Sequence, residues 1–270
     1  AAEANQQLPS SPRSSDFPSL WSDIKKVYTQ LQHSKCCFCE KPLEGAIEQD
    51  VEHFRPKAEV KPWKLPAKLK GEGITIRQPS DRKSEPGYAR LAYAPWNYAV
   101  ACKTCNSTLK KNFFPIAGER NITTDDPFAL GEEHALLVYP LGSWDEDPEN
   151  LIEFKGLSPV PKAADGFERQ RALVTIELFK LDDAGRRRSL FKLRAVLVRL
   201  LFQELEGRAN ASTPANRRNH QAAIDALTSA ESPFANCLRS FARLHEANRE
   251  NAEVIADECL GFLGVRSPNR

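Results

Sequence analysis

The sequence contains no methionine, no repeat of fixed period and no apolar run of membrane-spanning length. A membrane-spanning helix needs about 18 consecutive apolar residues, and the apolar run at 195–198 ends at Arg199. Residues 1–7 lack the basic start and the apolar centre of a secretory signal. We therefore expect a cytoplasmic protein that has no membrane partner and whose initiator methionine has been removed.

The cysteine content is modest and uneven. There are seven cysteines, an odd number, and five of them form two tight clusters at 36–39 and 102–105. This arrangement is typical of metal binding in a reducing compartment and argues against a disulfide framework. With 41% apolar and 27% charged residues, the chain has the composition of a globular protein with one large domain or two modest ones.

The net charge of +2 hides an uneven distribution. Residues 1–120 carry 19 Lys and Arg against 13 Asp and Glu, a balance of +6, whereas residues 121–270 carry 19 against 23, a balance of −4. Within the basic half, residues 54–84 hold nine basic and three acidic side chains. Such a basic field is typical of a surface that binds a polyanion, and equally of a solvated face.

Hydrophobic spacing in the first half predicts an amphipathic helix over 17–33 and a short strand over 47–54. A second strand is predicted over 96–101, followed by a short helix at 108–111. The prolines between the two strands favour a polar insertion loop over 55–95 that is too polar to form a core.

From about residue 164 the pattern is helical almost to the end. Thr213-Pro214 and Ser232-Pro233 both have the pattern of an N-cap followed by proline at the first helical position. The longest predicted helix has an apolar face formed by Leu190, Phe191, Leu193, Val196, Leu197, Leu200, Leu201 and Leu205.

The strongest chemical signal is the pair of motifs Cys36-x-x-Cys39 and Cys102-x-x-Cys105. Each two-residue gap places both sulfurs on one side of a metal, so two such pairs complete the tetrahedron that Zn²⁺ prefers. Cys37 leaves a gap to Cys39 that is too short for the usual knuckle, which favours Cys36 as the ligand and leaves Cys37 as the alternative. On the cysteines alone, a structural zinc site is favoured over a catalytic one.

Other polar residues lie around these motifs in a characteristic order. Glu52-His53 ends the first predicted strand, Asn97 lies in the second, and Asn106 and Lys110 follow the last cysteine of the pattern. This order resembles the zinc-bound HNH (ββα-metal) endonucleases, whose pattern is CxxC, an acidic residue with His, Asn, and then CxxC-Asn-xxx-Lys. The resemblance covers residues 36–115, about three-tenths of the chain.

A narrower resemblance involves residues 52–57, 112–115 and 145–154. These segments are similar to the HNH subunit of Septu-type and retron-linked antiphage systems. Such a subunit is typically paired with an ATPase. The resemblance therefore implies an ATPase partner in a defence complex, with DNA or RNA as the substrate.

The resemblance to HNH endonucleases implies roles in phosphodiester hydrolysis. His53 would be the general base, and its ordinary pKa of about 6.5 suits neutral pH. Glu52 and Asn106 would hold Mg²⁺ or Mn²⁺ through oxygen atoms, which hard cations prefer. Asn97 would hold the His53 ring on its Nδ1 side. Most members of the family have Asp at the position of Glu52, so the carboxylate is displaced here by one methylene.

Each of these residues also has a simpler interpretation. Without the resemblance, His53 would be a satisfied core histidine, Asn97 a turn residue and Asn106 a helix N-cap. Glu52 would be a solvated strand carboxylate.

Basic residues near the motif are expected to bind the nucleic-acid backbone. Arg55, Lys57 and Lys110 are predicted phosphate contacts, and Lys61 and Lys64 extend this surface into the insertion. Trp63 in the same insertion either stacks on a base or holds the loop against the body.

The sequence thus predicts an α+β fold, mainly α, with a ββα-metal HNH core and a Cys₄ zinc site. The predicted domains are a tail and helix over 1–35, the nuclease domain over 36–120, and a mainly helical domain over 121–270. The predicted function is a metal-dependent endonuclease. The alternative is a zinc-knuckle module that binds nucleic acid or a partner without cutting, and the intact set of Glu52, His53, Asn97 and Asn106 favours the enzyme.

Overall fold

A computed structural model describes residues 13–17, 21–77 and 83–265. Residues 18–20 of the predicted first helix and residues 78–82 of the predicted insertion therefore lie outside the described part of the chain. About half of the chain is helical, and the strands form three two-stranded sheets within the described residues. The expectation of an α+β fold that is mainly α is thus confirmed at this level. None of the described helices is both long and apolar enough to cross a membrane.

The chain divides into two compact units. The first comprises Ala1–Phe38, Pro42–Leu151 and Pro161–Phe179, and the second comprises Cys39–Lys41, Ile152–Val160 and Lys180–Arg270. The domain boundaries at residues 35 and 120 stay predictions.

The first unit contains short strands, short helices and connecting turns. Its helices are α1 (Trp21–Leu31), α2 (Ala67–Gly71), α3 (Pro148–Leu151) and α4 (Gly166–Leu178). Its strands are β1 (Gln49–His53), β2 (Glu59–Val60), β3 (Glu85–Pro86) and β4 (Tyr98–Cys102). A π-helical turn follows β4 over Thr104–Lys110, and 3₁₀ turns occur at Ser14–Asp16, Ala46–Glu48, Ala89–Leu91, Pro95–Asn97 and Pro127–Glu133.

The antiparallel pair of β1 and β4 is the centre of the first unit. Its register places Glu52 opposite Ala99 and His53 opposite Tyr98. All of β4 is buried, and Gln32, just after α1, exchanges two hydrogen bonds of 2.7 Å with the backbone of Val100. Both predicted strands are confirmed, whereas the helical turn after β4 begins four residues earlier than predicted.

The insertion between the strands is not the coreless loop that we expected. It contains β2, α2 and β3, and it buries the apolar side chains of Val60, Leu65, Leu69, Ile74, Ile76 and Leu91. These residues recur at neither helical nor strand spacing, and prolines separate them, so periodicity could not detect their common burial.

The second unit is a group of helices with one hairpin. The hairpin is β5 (Ile152–Lys155) with β6 (Ser158–Pro161). The helices are α5 (Arg188–Ala209), α6 (Pro214–Thr228), α7 (Ala235–Ala247) and α8 (Arg249–Leu263). The long helix α5 packs against the other three, and α7 packs on β5.

Two expectations about helix starts have opposite outcomes. Thr213 caps α6, because its hydroxyl accepts a hydrogen bond of 3.2 Å from the Asn216 amide. The expectation for Ser232-Pro233 is wrong: α7 begins at Ala235, after Phe234 in a left-handed conformation with φ of 56°. That conformation redirects the chain after the proline, so the helix starts two residues later.

The buried face of α5 also differs from the predicted one. Leu193, Val196 and Leu200 are 44%, 47% and 40% exposed, whereas Arg194 is 1% exposed. Arg194 donates hydrogen bonds of 3.0 Å to the carbonyls of Leu157 and Leu181. Its guanidinium also lies over the rings of Phe154, Phe191 and Phe234. A cation with these hydrogen bonds and ring contacts can occupy a core position that the apolar pattern assigns to leucine.

We predict that Arg194→Ala lowers the free energy of unfolding by about 2–4 kcal/mol, because two buried carbonyls lose their donor and the rings lose a packing partner. Urea denaturation measures the change. Arg188 is exposed on the same helix, so Arg188→Ala should stay within about 0.5 kcal/mol of the wild type. Equal stability of the two variants would contradict this role of Arg194.

Candidate active site and metal centre

The four predicted zinc ligands lie together. Cys36, Cys39, Cys102 and Cys105 are all buried, and their sulfurs lie within 4.8 Å of one another. Thiolates at this spacing can surround one metal ion such as zinc. Cys37 does not belong to this cluster, so Cys36 is the member of the first pair that the structure favours.

Backbone amides orient the cysteines in the manner of metal-binding knuckles. The Cys102 amide donates to the Cys36 sulfur at 3.3 Å, and the Cys105 amide donates to the Cys102 sulfur at 3.5 Å. The Cys37 amide donates to the Val100 carbonyl at 3.1 Å, which ties the first knuckle to β4. The cluster therefore connects the chain after α1, the end of β4 and the π-helical turn.

Three predicted catalytic residues line a single cavity of about 200 Å³ in the first unit. Glu52 and His53 reach it from the end of β1, and Asn106 reaches it from the π-helical turn. Lys57, another predicted residue, lines the same cavity. We call this space the candidate active-site cavity.

The ring of His53 has a defined tautomer. Its Nε2 lies 3.1 Å from the carbonyl of Ala92, and a carbonyl can only accept, so Nε2 carries the proton. In the neutral ring, Nδ1 then has the lone pair. Burial, with help from the Lys57 charge, lowers the pKa of His53 to about 3. The ring is therefore neutral at pH 7, which is the state that a general base requires. The pKa of about 6.5 expected from the sequence is wrong for this buried ring, and the lower pKa makes it a weaker proton acceptor.

A buried ion pair joins Glu52 to Lys110. The Lys110 ammonium lies against Glu52 Oε1, and the two side chains are 0% and 3% exposed. The same ammonium donates to the His53 carbonyl at 3.1 Å. Burial raises the pKa of Glu52, while the charges of Lys110 and Lys57 oppose that rise. The prediction of Lys110 as a phosphate contact is therefore wrong, because this side chain has no exposed surface and holds the carboxylate instead.

Asn106 is held by Asp50, a residue that sequence reasoning missed. Asn106 Nδ2 lies 3.4 Å from Asp50 Oδ2, and Ser107 donates to the same carboxylate oxygen at 3.1 Å. Since the amide nitrogen is used in this way, the amide oxygen of Asn106 remains the atom that suits a hard cation. Asp50 lies two residues before Glu52 on β1, a spacing that places both on one face of a strand.

The expected role of Asn97 is wrong. Both ends of its amide bind elsewhere: its oxygen accepts from the Arg55 amide at 2.7 Å, and its nitrogen donates to the carbonyls of Arg55 and Leu91 at 3.1 Å. Asn97 is completely buried. It thus braces the chain just after His53, while the ring itself is held by Ala92.

The other basic residues differ in their placement. Arg55 forms an ion pair of 3.2 Å with buried Glu133 and lies over three aromatic rings, so little of it faces solvent. Lys61 and Lys64 are exposed, and Lys61 pairs with Glu59 at 3.1 Å. Burial lowers the pKa of Lys57 to about 8. Lys111 and Asn112 also line the candidate active-site cavity and were missed, although their position directly after Lys110 could have indicated them.

The chain is 32% identical over 133 residues to the Septu protein PtuB of Bacillus mycoides. The matched segment is 49% of this chain and 38% of that protein, so the chain spans well under half of the relative's length. No protein-family model matches the chain, and no solved structure matches it.

We predict one zinc ion per chain by elemental analysis, and loss of that zinc in Cys105→Ser. Structural zinc contributes about 10–16 kcal/mol of apparent folding free energy in small peptides, so the variant should also lose the fold around β1 and β4. Cys37→Ser is the matched control and should keep the metal. A Cys105→Ser protein with full zinc and unchanged melting would refute the Cys₄ site.

We predict that Lys110→Met lowers the free energy of unfolding by about 3–5 kcal/mol, because it leaves a buried carboxylate without its cation. Adding Glu52→Met should recover most of this loss. Lys111→Met changes the neighbouring exposed lysine and should cost no more than about 0.5 kcal/mol. Chemical denaturation of the wild type and the three variants measures these differences. A Lys110→Met single variant as stable as the wild type would show that the ion pair does not stabilise the fold.

Proposed function

We propose that the chain is a metal-dependent endonuclease of the HNH type, which hydrolyses phosphodiester bonds in nucleic acid. The observation that carries the proposal is the convergence of Glu52, His53 and Asn106 on one cavity. Asn106 directly follows Cys105 of the four-cysteine cluster. The order of elements supports it as well, because two antiparallel strands are followed by a helical turn, as a ββα-metal core requires.

The residues of the candidate active-site cavity fit a hard divalent cation. Glu52 and Asn106 offer a carboxylate oxygen and an amide oxygen, the donors that Mg²⁺ and Mn²⁺ prefer. The four thiolates form a separate site suited to zinc. When bound, Mg²⁺ or Mn²⁺ would hold the scissile phosphate and offset the charge that develops on the leaving oxygen.

The protein's own residues supply the remaining chemistry. Neutral His53 accepts a proton at Nδ1 from the water that attacks phosphorus, so the new oxygen–phosphorus bond forms as the bond to the leaving oxygen breaks. The Ala92 carbonyl holds the opposite side of the ring. Lys57 and Lys111 place positive charge at the cavity, where it attracts the phosphate.

The partial similarity to a Septu protein supports a role in antiphage defence. In this proposal the chain is the effector nuclease of a defence complex and works with an ATPase subunit. It would act in the cytoplasm, where thiols remain reduced.

A second candidate function is a zinc-knuckle module that binds nucleic acid or a partner without cutting it. The contact that favours it is the ammonium of Lys110 on Glu52, since this cation competes with a divalent metal for the carboxylate. Metal-dependent cleavage distinguishes the two functions.

We predict that the purified protein cleaves plasmid, single-stranded DNA or tRNA with Mg²⁺ or Mn²⁺ and that EDTA stops it. His53→Ala should slow cleavage by about 10²–10⁴, because a general base contributes that factor, while zinc content and nucleic-acid binding persist. His33 is exposed, and His33→Ala is the control that should cut normally. Wild-type rates in His53→Ala would refute this site, and binding without any cleavage would favour the second function.

A further prediction concerns the basic insertion. Lys68 pairs with buried Glu177, so the side chains to test are those of Lys61, Lys64 and Lys70, which are exposed. Replacing these three with Ala should reduce the log–log salt slope of duplex binding by up to about 0.9 for each phosphate that the variant no longer neutralises. Binding should weaken equally on every sequence. An unchanged slope would make this surface a solvated face.

A further inference from the structure

The first unit contains a second cavity, of about 180 Å³, that shares no lining residue with the candidate active-site cavity. Its walls are largely aromatic and include the rings of Trp96, His134, Tyr139, Trp144 and Phe167. The His134 and Phe167 rings meet edge to face, with centroids 5.6 Å apart. We call this space the aromatic cavity.

Several of these rings face solvent. Trp144 is 50% exposed and Phe167 is 39% exposed. Phe128, which is 76% exposed, contacts Trp144 with ring centroids 5.5 Å apart. Large aromatic side chains that remain exposed together mark sites of interaction, where they act as anchors for a partner.

The charged groups of the aromatic cavity neutralise one another. Arg171 donates to Asp145 at 2.5 Å and to the carbonyls of Leu137 and Ala135 at 2.9 and 3.1 Å. Arg55 pairs with Glu133 at 3.2 Å. The two arginines that line the cavity are therefore already matched by carboxylates, so they do not make its interior cationic.

The chain around the aromatic cavity is strongly acidic. Residues 121–150, which supply seven of its twelve lining residues, contain eight Asp and Glu and no Lys or Arg. Five of these acids are exposed, namely Asp125, Asp126, Glu132, Glu146 and Asp147. Their field attracts cations and repels polyanions.

We propose that the aromatic cavity is a docking site for a basic segment of a protein partner, with one Arg or Lys side chain inserted among the rings. A cation over the face of Trp, Tyr or Phe is attracted by the ring, and the surrounding carboxylates strengthen this attraction. This docking site does not depend on the proposed cleavage reaction, because it uses none of the residues of the candidate active-site cavity.

The same charges argue against a nucleobase as the occupant. Aromatic rings can stack on bases, but a base carries its phosphates with it, and these would lie close to the exposed carboxylates. Of the basic residues in the segment 54–84, only Arg55 lines this cavity, and Arg55 is already paired with Glu133. Charge therefore assigns this surface to a cationic protein segment.

The test is an NMR titration that follows the indole N–H resonances of the four tryptophans in the full chain. The probe is a short peptide of alternating Gly and Arg, and its neutral twin has citrulline at every Arg position. The resonances of Trp144 and Trp96, assigned with Trp144→Phe and Trp96→Phe, should shift with the Arg peptide. The citrulline peptide should bind about tenfold more weakly, because it lacks the cation.

Variants of Trp144 distinguish insertion of an Arg side chain among the rings from a general attraction of the peptide to the acidic surface. Trp144→Ala, at a half-exposed position, should weaken binding of the Arg peptide about tenfold, and Trp144→Phe should restore most of the affinity. Ile47→Ala, an 80% exposed apolar control in the same unit, should change nothing. Equal binding of the citrulline peptide, no binding of the Arg peptide, or an unchanged affinity in Trp144→Ala would overturn the proposal. The proposal would also be overturned if a single-stranded oligonucleotide shifts the Trp144 resonance and the Arg peptide does not.

Discussion

Four cysteine sulfurs within 4.8 Å of one another repel as thiolates, and a metal ion removes that repulsion by binding all four. This requirement connects the parts of the chain that carry the candidate active site. Cys36 follows α1, Cys102 ends β4, and Cys105 lies in the turn that also carries Asn106 and Lys110. A bound metal would therefore fix the turn relative to the strands, and the distance between Glu52 and Asn106 would depend on it.

The buried pair of Glu52 and Lys110 also links β1 to the π-helical turn. Lys110 reaches from the turn to β1, where it contacts the Glu52 carboxylate and the His53 carbonyl. One cation thus positions both the Glu52 carboxylate and the backbone of His53. Lys57 and Lys111 add two more positive charges at the cavity, so an anionic phosphate and a divalent metal would stabilise each other there. This mutual dependence is the physical reason to expect tight metal binding only together with substrate.

The sequence was informative where the chemistry needs a fixed residue type at a fixed spacing. The two cysteine pairs, the Glu52-His53 dipeptide and Asn106 were identified in this way. The structure brings the four cysteines into one cluster, and it brings Glu52, His53 and Asn106 to one cavity. It was misleading where a charged side chain is buried. Lys110 and Arg194 both follow the pattern of surface residues, because an isolated cation rarely enters a core, and only their distant partners make burial possible. The partner of Lys110 is Glu52, and the partners of Arg194 are two backbone carbonyls. The local sequence reveals neither.

Asn97 and the insertion show a second limit of prediction from the sequence. An asparagine has two donors and one acceptor group that suit many partners, so its motif position did not indicate that it binds the Arg55 backbone rather than the His53 ring. The insertion buries its apolar residues at irregular spacing between prolines, and a periodic pattern cannot reveal such a core. The aromatic cavity is formed by residues from 54 to 171, a separation that local patterns do not cover.

The most direct test is anomalous X-ray scattering from crystals of His53→Ala protein grown with Mn²⁺ and a short oligonucleotide, measured at the zinc and manganese absorption edges. We expect zinc among the four cysteine sulfurs and manganese between Glu52, Asn106 and a backbone phosphate. Crystals that hold the oligonucleotide with no manganese in that cavity, or with manganese only among the thiolates, would contradict a metal-dependent nuclease site built on a zinc cluster.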